Sequence, residues 1–172
     1  MTRVAGVQKS GTQKPVALGS DDAGVELKET IKAFLEARGV PVKDYAHASE
    51  DDYPDVAYRV AKDVAEGRLE RGILICGTGI GMAITANKVA GVRAAQAHDT
   101  YSAQRARKSN DAQILALGAR VVAGELAKEI VGAWLESEFE GGNSSRKVAK
   151  MAQIDETERS SVSEHDPLVG GC

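Results

Sequence analysis

Residues 72–95 read GILICGTGIGMAITANKVAGVRAA, and this stretch decides the fold. The apolar run 72–76 predicts a buried strand, because it has the length of a strand and is too short for a helix. The glycine-rich run 77–81 predicts a turn, 82–88 a helix, and 92–97 another strand. A strand, tight turn, helix and second strand in this order are typical of a βα unit in a parallel sheet.

The same alternation extends in both directions along the chain. Further strands are predicted at 16–20, 40–46 and 114–118, and further helices at 24–38, 54–66, 100–108, 125–138 and 145–155. The pattern predicts one α/β domain over residues 15–157, with a doubly wound, mostly parallel five-stranded sheet and helices on both faces. A flexible leader is expected at 1–14 and a disordered tail at 158–172, because neither segment has apolar periodicity.

The overall composition excludes two classes of protein. A net charge of −3 argues against general affinity for nucleic acid, and we interpret the basic cluster Arg105, Arg107 and Lys108 as a solvated helix face. No apolar run approaches the roughly 20 residues that span a bilayer. Two cysteines do not form a disulfide framework and the first residues lack the apolar segment of a signal peptide, so a cytoplasmic protein is expected.

Cys76 stands where the strand predicted at 72–76 meets the glycine-rich turn. The small residues of this turn let the backbone approach a ligand, and the free N–H groups of the following helix start favour negative charge. The same field favours a thiolate, which would make Cys76 a nucleophile or base. An inert buried cysteine is the alternative. The spacing G-x-G-x-G fits neither the dinucleotide-binding motif nor a P-loop.

Five segments of the sequence together resemble one known family. They are VALGSDDAGVELK (16–28), DYP (52–54), the stretch 72–95, HDTYSAQRARKSNDAQILALGARVV (98–122) and ELAKEIVGAWL (125–135). The chain is similar over residues 16–155 to type B ribose-5-phosphate isomerases and their relatives, which include galactose-6-phosphate isomerase. The resemblance implies a Rossmann-like fold, a homodimer or dimer of dimers with sites shared between subunits, no metal or organic cofactor, and aldose–ketose interconversion through a cis-enediolate.

The resemblance also assigns roles to individual residues. Cys76 matches the base that moves a proton between C2 and C1, and Thr78 matches the hydroxyl that moves protons between O1 and O2. Residues 77–81 match an anion hole for the enediolate oxygens, while Asn110 is expected to reach across the dimer. The positions that match substrate-binding groups are Asp21, Asp22, Gly77, Gly79, Ile80, Gly81, Asn110, Arg120, Arg146 and Lys147.

The sequence departs from the family pattern at three places. The family usually reads D-H-A-G in the first loop, H-N before the fifth strand and G-G-R-H-x-x-R near the end, where this chain has Asp22, Ser109 and Asn143. Ser109 leaves the family's ring-opening role vacant, and His98, at the end of a predicted strand, is the candidate to fill it. Lys147 keeps the charge of a phosphate-binding arginine but loses its planar fork.

Plainer interpretations stay open at several positions. Asp21 and Asp22 could cap the following helix, Asn110 could be a turn residue, and Arg120 could belong to a structural ion pair. His47, His98 and His165 lack metal-ligand spacing, so no metal site is expected.

Three functions remain in competition, and the substrate within the first is open. They are an isomerase, a sugar-phosphate-binding protein without turnover, and a nucleotide-binding module. For an isomerase, the nominal reaction is D-ribose 5-phosphate to D-ribulose 5-phosphate. D-erythrulose 4-phosphate is the alternative, because a tetrose 4-phosphate cannot close a furanose ring and needs no ring-opening histidine.

Overall fold

The computed structural model describes residues 14–46 and 48–164. In this part of the chain the strands are β1 (Val16–Ser20), β2 (Val42–Tyr45), β3 (Gly72–Cys76), β4 (Ala94–Gln96) and β5 (Ile114–Gly118). The α-helices are α1 (Val25–Ala37), α2 (Tyr53–Ala65), α3 (Ile80–Asn87), α4 (Thr100–Asn110), α5 (Gly124–Leu135) and α6 (Asn143–Glu164). A single 3-10 turn, Asp22–Gly24, precedes α1.

The five strands form one sheet in the order β2-β1-β3-β5-β4, and every strand pair is parallel. The prediction of a five-stranded, Rossmann-like sheet is thereby confirmed. Parallel strands place their carboxyl ends at one edge, and the register sets Cys76 directly opposite Gly118. Strand order reverses between β1 and β3, which is where such sheets form a ligand crevice.

Alternate residues of the central strands supply two separate cores. On one face Leu18, Ile73 and Leu117 pack with α1, α4 and α5 around the fully buried Trp134. On the other face Leu74 and Cys76 pack against α2 and α3. Each large side chain buried in this way contributes roughly 1.5–3 kcal/mol. The Cys76 side chain therefore leaves the sheet on the face that α2 and α3 cover.

Several helix boundaries differ from the sequence prediction; α5, for example, ends at Leu135 and not at 138. Helix α3 begins at Ile80, inside the predicted turn, because Gly79 adopts a left-handed conformation (φ 78°) that allows the chain to turn directly into the helix. Helix α6 continues to Glu164, beyond the predicted end at 155, so residues 158–164 of the predicted disordered tail are helical. Asp155 anchors this helix by accepting a hydrogen bond from the Gly91 amide at 2.7 Å. The predicted leader lies outside the described residues, apart from residue 14, and so does the tail from residue 165 onward.

The interpretation of the basic cluster as a solvated face is wrong for Arg107. This side chain is 8% exposed, and it donates to the Asp111 carboxylate at 2.9 Å and the Ala112 carbonyl at 3.1 Å. Arg105 and Lys108 both pair with Glu140, at 3.7 and 3.5 Å. The cluster ties α4 to the segment that follows α5. Among the described residues, no helix combines the length and apolar character needed to cross a membrane.

Candidate active site

The candidate site lies in the crevice at the carboxyl ends of β1 and β3. The Asp21 amide, just after β1, donates to the Ile75 carbonyl at 3.2 Å. Gly24 packs so tightly beside it that a Cβ there would lie 2.5 Å from the Ile75 oxygen. This contact requires glycine and brings the first loop beside Cys76.

Cys76 is buried, and its thiol faces the loop that follows it. The Gly79 amide donates to Sγ at 3.1 Å, so the sulfur is the acceptor of this hydrogen bond. Two glycines let the loop lie flat on β5: a Cβ at Gly79 would be 2.9 Å from the Leu117 carbonyl carbon, and one at Gly118 would be 2.8 Å from Thr78 Cα. The close approach of two backbones thus sets the position of the amide that faces the sulfur.

Thr78 presents its hydroxyl at the exposed side of the same loop. Its Oγ1 accepts from the Ile80 amide at 3.3 Å, so the hydroxyl proton is available for donation to a bound molecule. The Gly79 and Ile80 amides are therefore engaged within the loop, at the thiol and at Thr78. The predicted anion hole at Gly77, Gly79, Ile80 and Gly81 stays a prediction, and two of its amides would have to exchange partners.

Arg120 lies against the loop from the β5 side. Its amide donates to the Gly77 carbonyl at 3.0 Å, and its Cδ and Nη1 lie 3.6 Å from the position that a Gly77 Cβ would occupy. A Cβ at Gly77 would make ordinary van der Waals contact with this side chain, so the guanidinium lies directly beside the loop. A positive charge beside the loop that follows Cys76 suits an anionic ligand.

Asp21 serves the backbone in this structure. Its Oδ1 accepts from the Gly24 amide at 3.1 Å and so caps the 3-10 turn, as the capping interpretation expects. This cap uses Oδ1 and does not involve the other carboxylate oxygen, Oδ2. Asp22 follows as the first residue of the turn.

His98 lies at the same edge of the sheet, two residues beyond β4. Its Nε2 accepts from the Gly118 amide at 3.1 Å, which leaves Nδ1 as the ring nitrogen that carries the proton in the neutral form. Next to it, hydrogen bonds from Ser102 hold the pKa of Asp99 below its usual range. A negative charge thus stands beside the imidazole.

Asn110, Arg146 and Lys147 lie elsewhere in the protomer. Helix α4 starts at the carboxyl edge and ends at Asn110 just before β5 begins, so Asn110 lies toward the opposite, amino edge of the sheet. Arg146 and Lys147 are exposed on the first turns of α6, and the Glu140 amide before that helix bonds the Lys108 carbonyl at 3.1 Å. The structure therefore separates these three residues from Cys76 of the same chain.

Comparison with known proteins agrees with this geometry. The family model described as Ribose/Galactose Isomerase matches residues 16–151. The chain belongs to the ribose/galactose isomerase family.

Three relatives illustrate how far this likeness extends. The chain is 56% identical over 147 residues to a D-erythrulose-4-phosphate isomerase of Pectobacterium atrosepticum, covering 84% of this chain and 97% of the relative. It is 49% identical over 146 residues to a ribose-5-P isomerase B of Listeria innocua, covering 84% and 99%. The solved ribose-5-phosphate isomerase B of Clostridium thermocellum superposes with a TM-score of 0.81 at 46% identity, covering 84% of this chain and 99% of that one.

Family membership resolves the class of function. The chain is an isomerase of the sugar-phosphate type, which confirms the enzyme prediction and removes the competing binding-protein and nucleotide-module interpretations. Which sugar phosphate it converts is a separate question. Within the described residues, no group of three or more histidine, cysteine or acidic side chains converges in a manner that could hold a metal ion.

Sequence reasoning missed two residues at the loop. Tyr53, the first residue of α2, lies over Gly81, where a Cβ would be 2.4 Å from the tyrosine ring. A capping box formed by Asp52 and Asp55 fixes the start of α2. Gln96 donates through Nε2 to the Thr78 carbonyl at 2.7 Å. The available signal for Gln96 was a polar residue at the end of the short strand β4, after two alanines. For Tyr53 it was its place in the DYP segment.

Proposed function

We propose that this enzyme interconverts the ketose and aldose forms of a small sugar phosphate through a cis-enediolate, with Cys76 as the base and without a metal ion. The observation that carries the proposal is the contact of the Cys76 thiol with the Gly79 amide, next to the Thr78 hydroxyl and the Arg120 guanidinium. This set supplies a base, a proton-transferring hydroxyl and a positive charge.

The proposed reaction needs one base acting at two neighbouring carbons. The Cys76 thiolate removes a proton from C1 of the ketose, and the C–H electrons form the C1–C2 double bond of the enediolate. Thr78 passes a proton from the C1 oxygen to the C2 oxygen, and Cys76 then returns its proton to C2. C1 is oxidised to an aldehyde and C2 is reduced to an alcohol, so no external oxidant or reductant is required.

Among substrates, we propose D-erythrulose 4-phosphate ahead of D-ribose 5-phosphate. Ser109 replaces the family's ring-opening histidine, and its hydroxyl accepts a hydrogen bond from Arg105 one helical turn earlier. A tetrulose 4-phosphate has no free hydroxyl with which to close a furanose ring, so the absence of that histidine has no consequence for it. The similarity to the Pectobacterium enzyme supports the same choice. The location of His98 beside β5 keeps ribose 5-phosphate as the second candidate.

The separated residues support a site built from two chains. Asn110, Arg146 and Lys147 lie away from the carboxyl edge that carries Cys76, yet the resemblance assigns all of them to substrate. A homodimer that brings the amino edge of one chain to the carboxyl edge of the other would unite them. Phosphate binding by Arg146 and Lys147 in that arrangement, like the cytoplasmic location, remains a prediction.

Subunit mixing tests the shared site. Cys76→Ala and Asn110→Ala should each be nearly inactive alone, because one lacks the base and the other an oxyanion donor. Refolded together, they should recover about a quarter of wild-type activity, since half of the dimers are mixed and each mixed dimer has one intact site of two. As a matched control, Cys76→Ala mixed with Thr78→Ala should recover nothing, because both residues belong to one loop. Failure of the first mixture to recover activity would contradict a shared site.

Removal of divalent cations tests the metal-free mechanism. After incubation with EDTA and gel filtration, we expect kcat to remain unchanged, because the base, the hydroxyl and the positive charge are all side chains. The measurement is a continuous isomerase assay before and after treatment, with a zinc-dependent enzyme treated in parallel. An activity that falls and returns on addition of a divalent cation would contradict the proposal.

A further inference from the structure

One peptide group connects the edge strand β4 to the catalytic sulfur. The peptide between Thr78 and Gly79 donates through its N–H to Cys76 Sγ at 3.1 Å, and its carbonyl accepts from Gln96 Nε2 at 2.7 Å. In a trans peptide the N–H and C=O point in opposite directions. Gln96 and Cys76 are therefore hydrogen-bonded to opposite ends of the same peptide dipole.

Gln96 reaches this carbonyl across a neighbouring strand. It pairs with Ala116 in the sheet, and the loop lies on β5 because Gly118 has no side chain: a Cβ there would be 2.8 Å from the Thr78 carbonyl oxygen. The thiol end of the peptide is buried and its carbonyl end is exposed. The exposed end is thus fixed by one side chain that the catalytic loop does not contain.

We propose that Gln96 is a positioning residue that sets the orientation and strength of the Gly79 N–H donor at Cys76; this role rests on the proposed function of Cys76 as the base. A hydrogen bond to the carbonyl polarises the whole peptide and makes its N–H a stronger donor. A stronger donor favours the thiolate form of Cys76. The same bond keeps the loop from rotating its peptide away from the sulfur.

Water limits the expected effect in the free enzyme. Since the Thr78 carbonyl is open to solvent, a water molecule can replace part of the lost bond. When bound substrate displaces this water, Gln96 is the donor that remains for the Thr78 carbonyl. Loss of Gln96 should therefore reduce thiolate formation modestly in the free enzyme and reduce turnover more strongly.

The test measures thiol reactivity independently of catalysis. In a Cys172→Ser background, so that Cys76 is the one cysteine left, the rate of alkylation by iodoacetamide is measured against pH. For Gln96→Met, which keeps length but cannot donate, we expect the rate at pH 7 to fall about threefold and the midpoint of the profile to move to higher pH. The kcat should fall about tenfold with KM little changed.

A control and a second variant complete the design. Gln113→Met makes the same substitution at a residue that bonds the Gly91 carbonyl at 2.9 Å and the Arg93 amide at 2.8 Å, just before β5, and it should leave the alkylation profile unchanged. Gln96→Glu, which places a negative charge at the Thr78 carbonyl, should move the midpoint further than Gln96→Met does. It provides the test if Gln96→Met does not fold.

The outcomes separate this proposal from the proposed function. An unchanged alkylation profile in both Gln96 variants, or an equal shift in Gln113→Met, would overturn the positioning role even if turnover is lost. A different result is also possible: the Gln96 variants shift the alkylation profile, but Cys76→Ala retains isomerase activity. In that case the coupling between Gln96 and Cys76 stands, and the assignment of the sulfur as the base is wrong.

Discussion

Replacing Cys76 by alanine should lower kcat by about 10²- to 10⁴-fold, the range that a positioned acid–base group contributes. The side chain is 5% exposed and borders the core on the α2 and α3 face, and truncation to alanine removes one heavy atom, the sulfur. We therefore expect the variant to fold, with a free energy of unfolding lowered by about 1 kcal/mol. Substrate affinity should change little, because the base contributes to the transition state.

We would measure kcat by steady-state kinetics, substrate affinity by calorimetric titration and the stability of the fold by a thermal melt. Cys172→Ser, which removes the other cysteine of the chain, is the matched control and should retain full activity. Alkylation by iodoacetamide should inactivate the wild type, and a substrate analogue should protect it. A Cys76→Ala enzyme with kcat near the wild-type value would exclude the sulfur as the base.

The sequence was sufficient for the fold and for the location of the glycine-rich loop that follows Cys76. Both rest on local signals: five short apolar runs alternate with amphipathic stretches, and a cysteine precedes a glycine-rich turn. The chemistry of a thiol at a helix start follows from that local order alone. The positions of His98 and Arg120 at the same edge follow from the rule that parallel strands share their carboxyl ends.

Contacts between distant strands could not be predicted in the same way. The hydrogen bond from Gln96 to Thr78 requires that β5 be inserted between β3 and β4, and strand order is not encoded in any one segment. The burial of Arg107 depends on the Asp111 carboxylate, which compensates its charge, and on the Ala112 carbonyl, which accepts a hydrogen bond from it. The length of α6 depends in part on the anchor between Asp155 and Gly91, since the polar sequence after residue 155 has no apolar stripe to signal a helix.

The substrate choice gives the second large effect. We expect kcat/KM for D-erythrulose 4-phosphate to exceed that for D-ribose 5-phosphate by about 100-fold, the order of discrimination that a pocket achieves against a substrate with one additional small group. The pentose spends most of its time as a ring, which Ser109 does not help to open. The tetrulose also holds its phosphate nearer the reacting carbons, which fits the presence of Asn143 and Lys147 where the family pattern has arginines.

Two variants identify the cause of the preference. Ser109→His should raise kcat/KM for ribose 5-phosphate at least tenfold and leave the tetrulose rate within about threefold, because it restores an acid–base group that the tetrulose does not need. If Nδ1 of His98 opens the pentose ring in the wild type, where position 109 is serine, His98→Ala should remove the residual pentose activity selectively. The double variant Ser109→His, His98→Ala should regain the pentose activity. Equal losses on both substrates in His98→Ala would show that His98 acts through its bond to the Gly118 amide. A wild type that is faster on ribose 5-phosphate than on the tetrulose would overturn the acyclic substrate, because no ring-opening deficit would then need explaining.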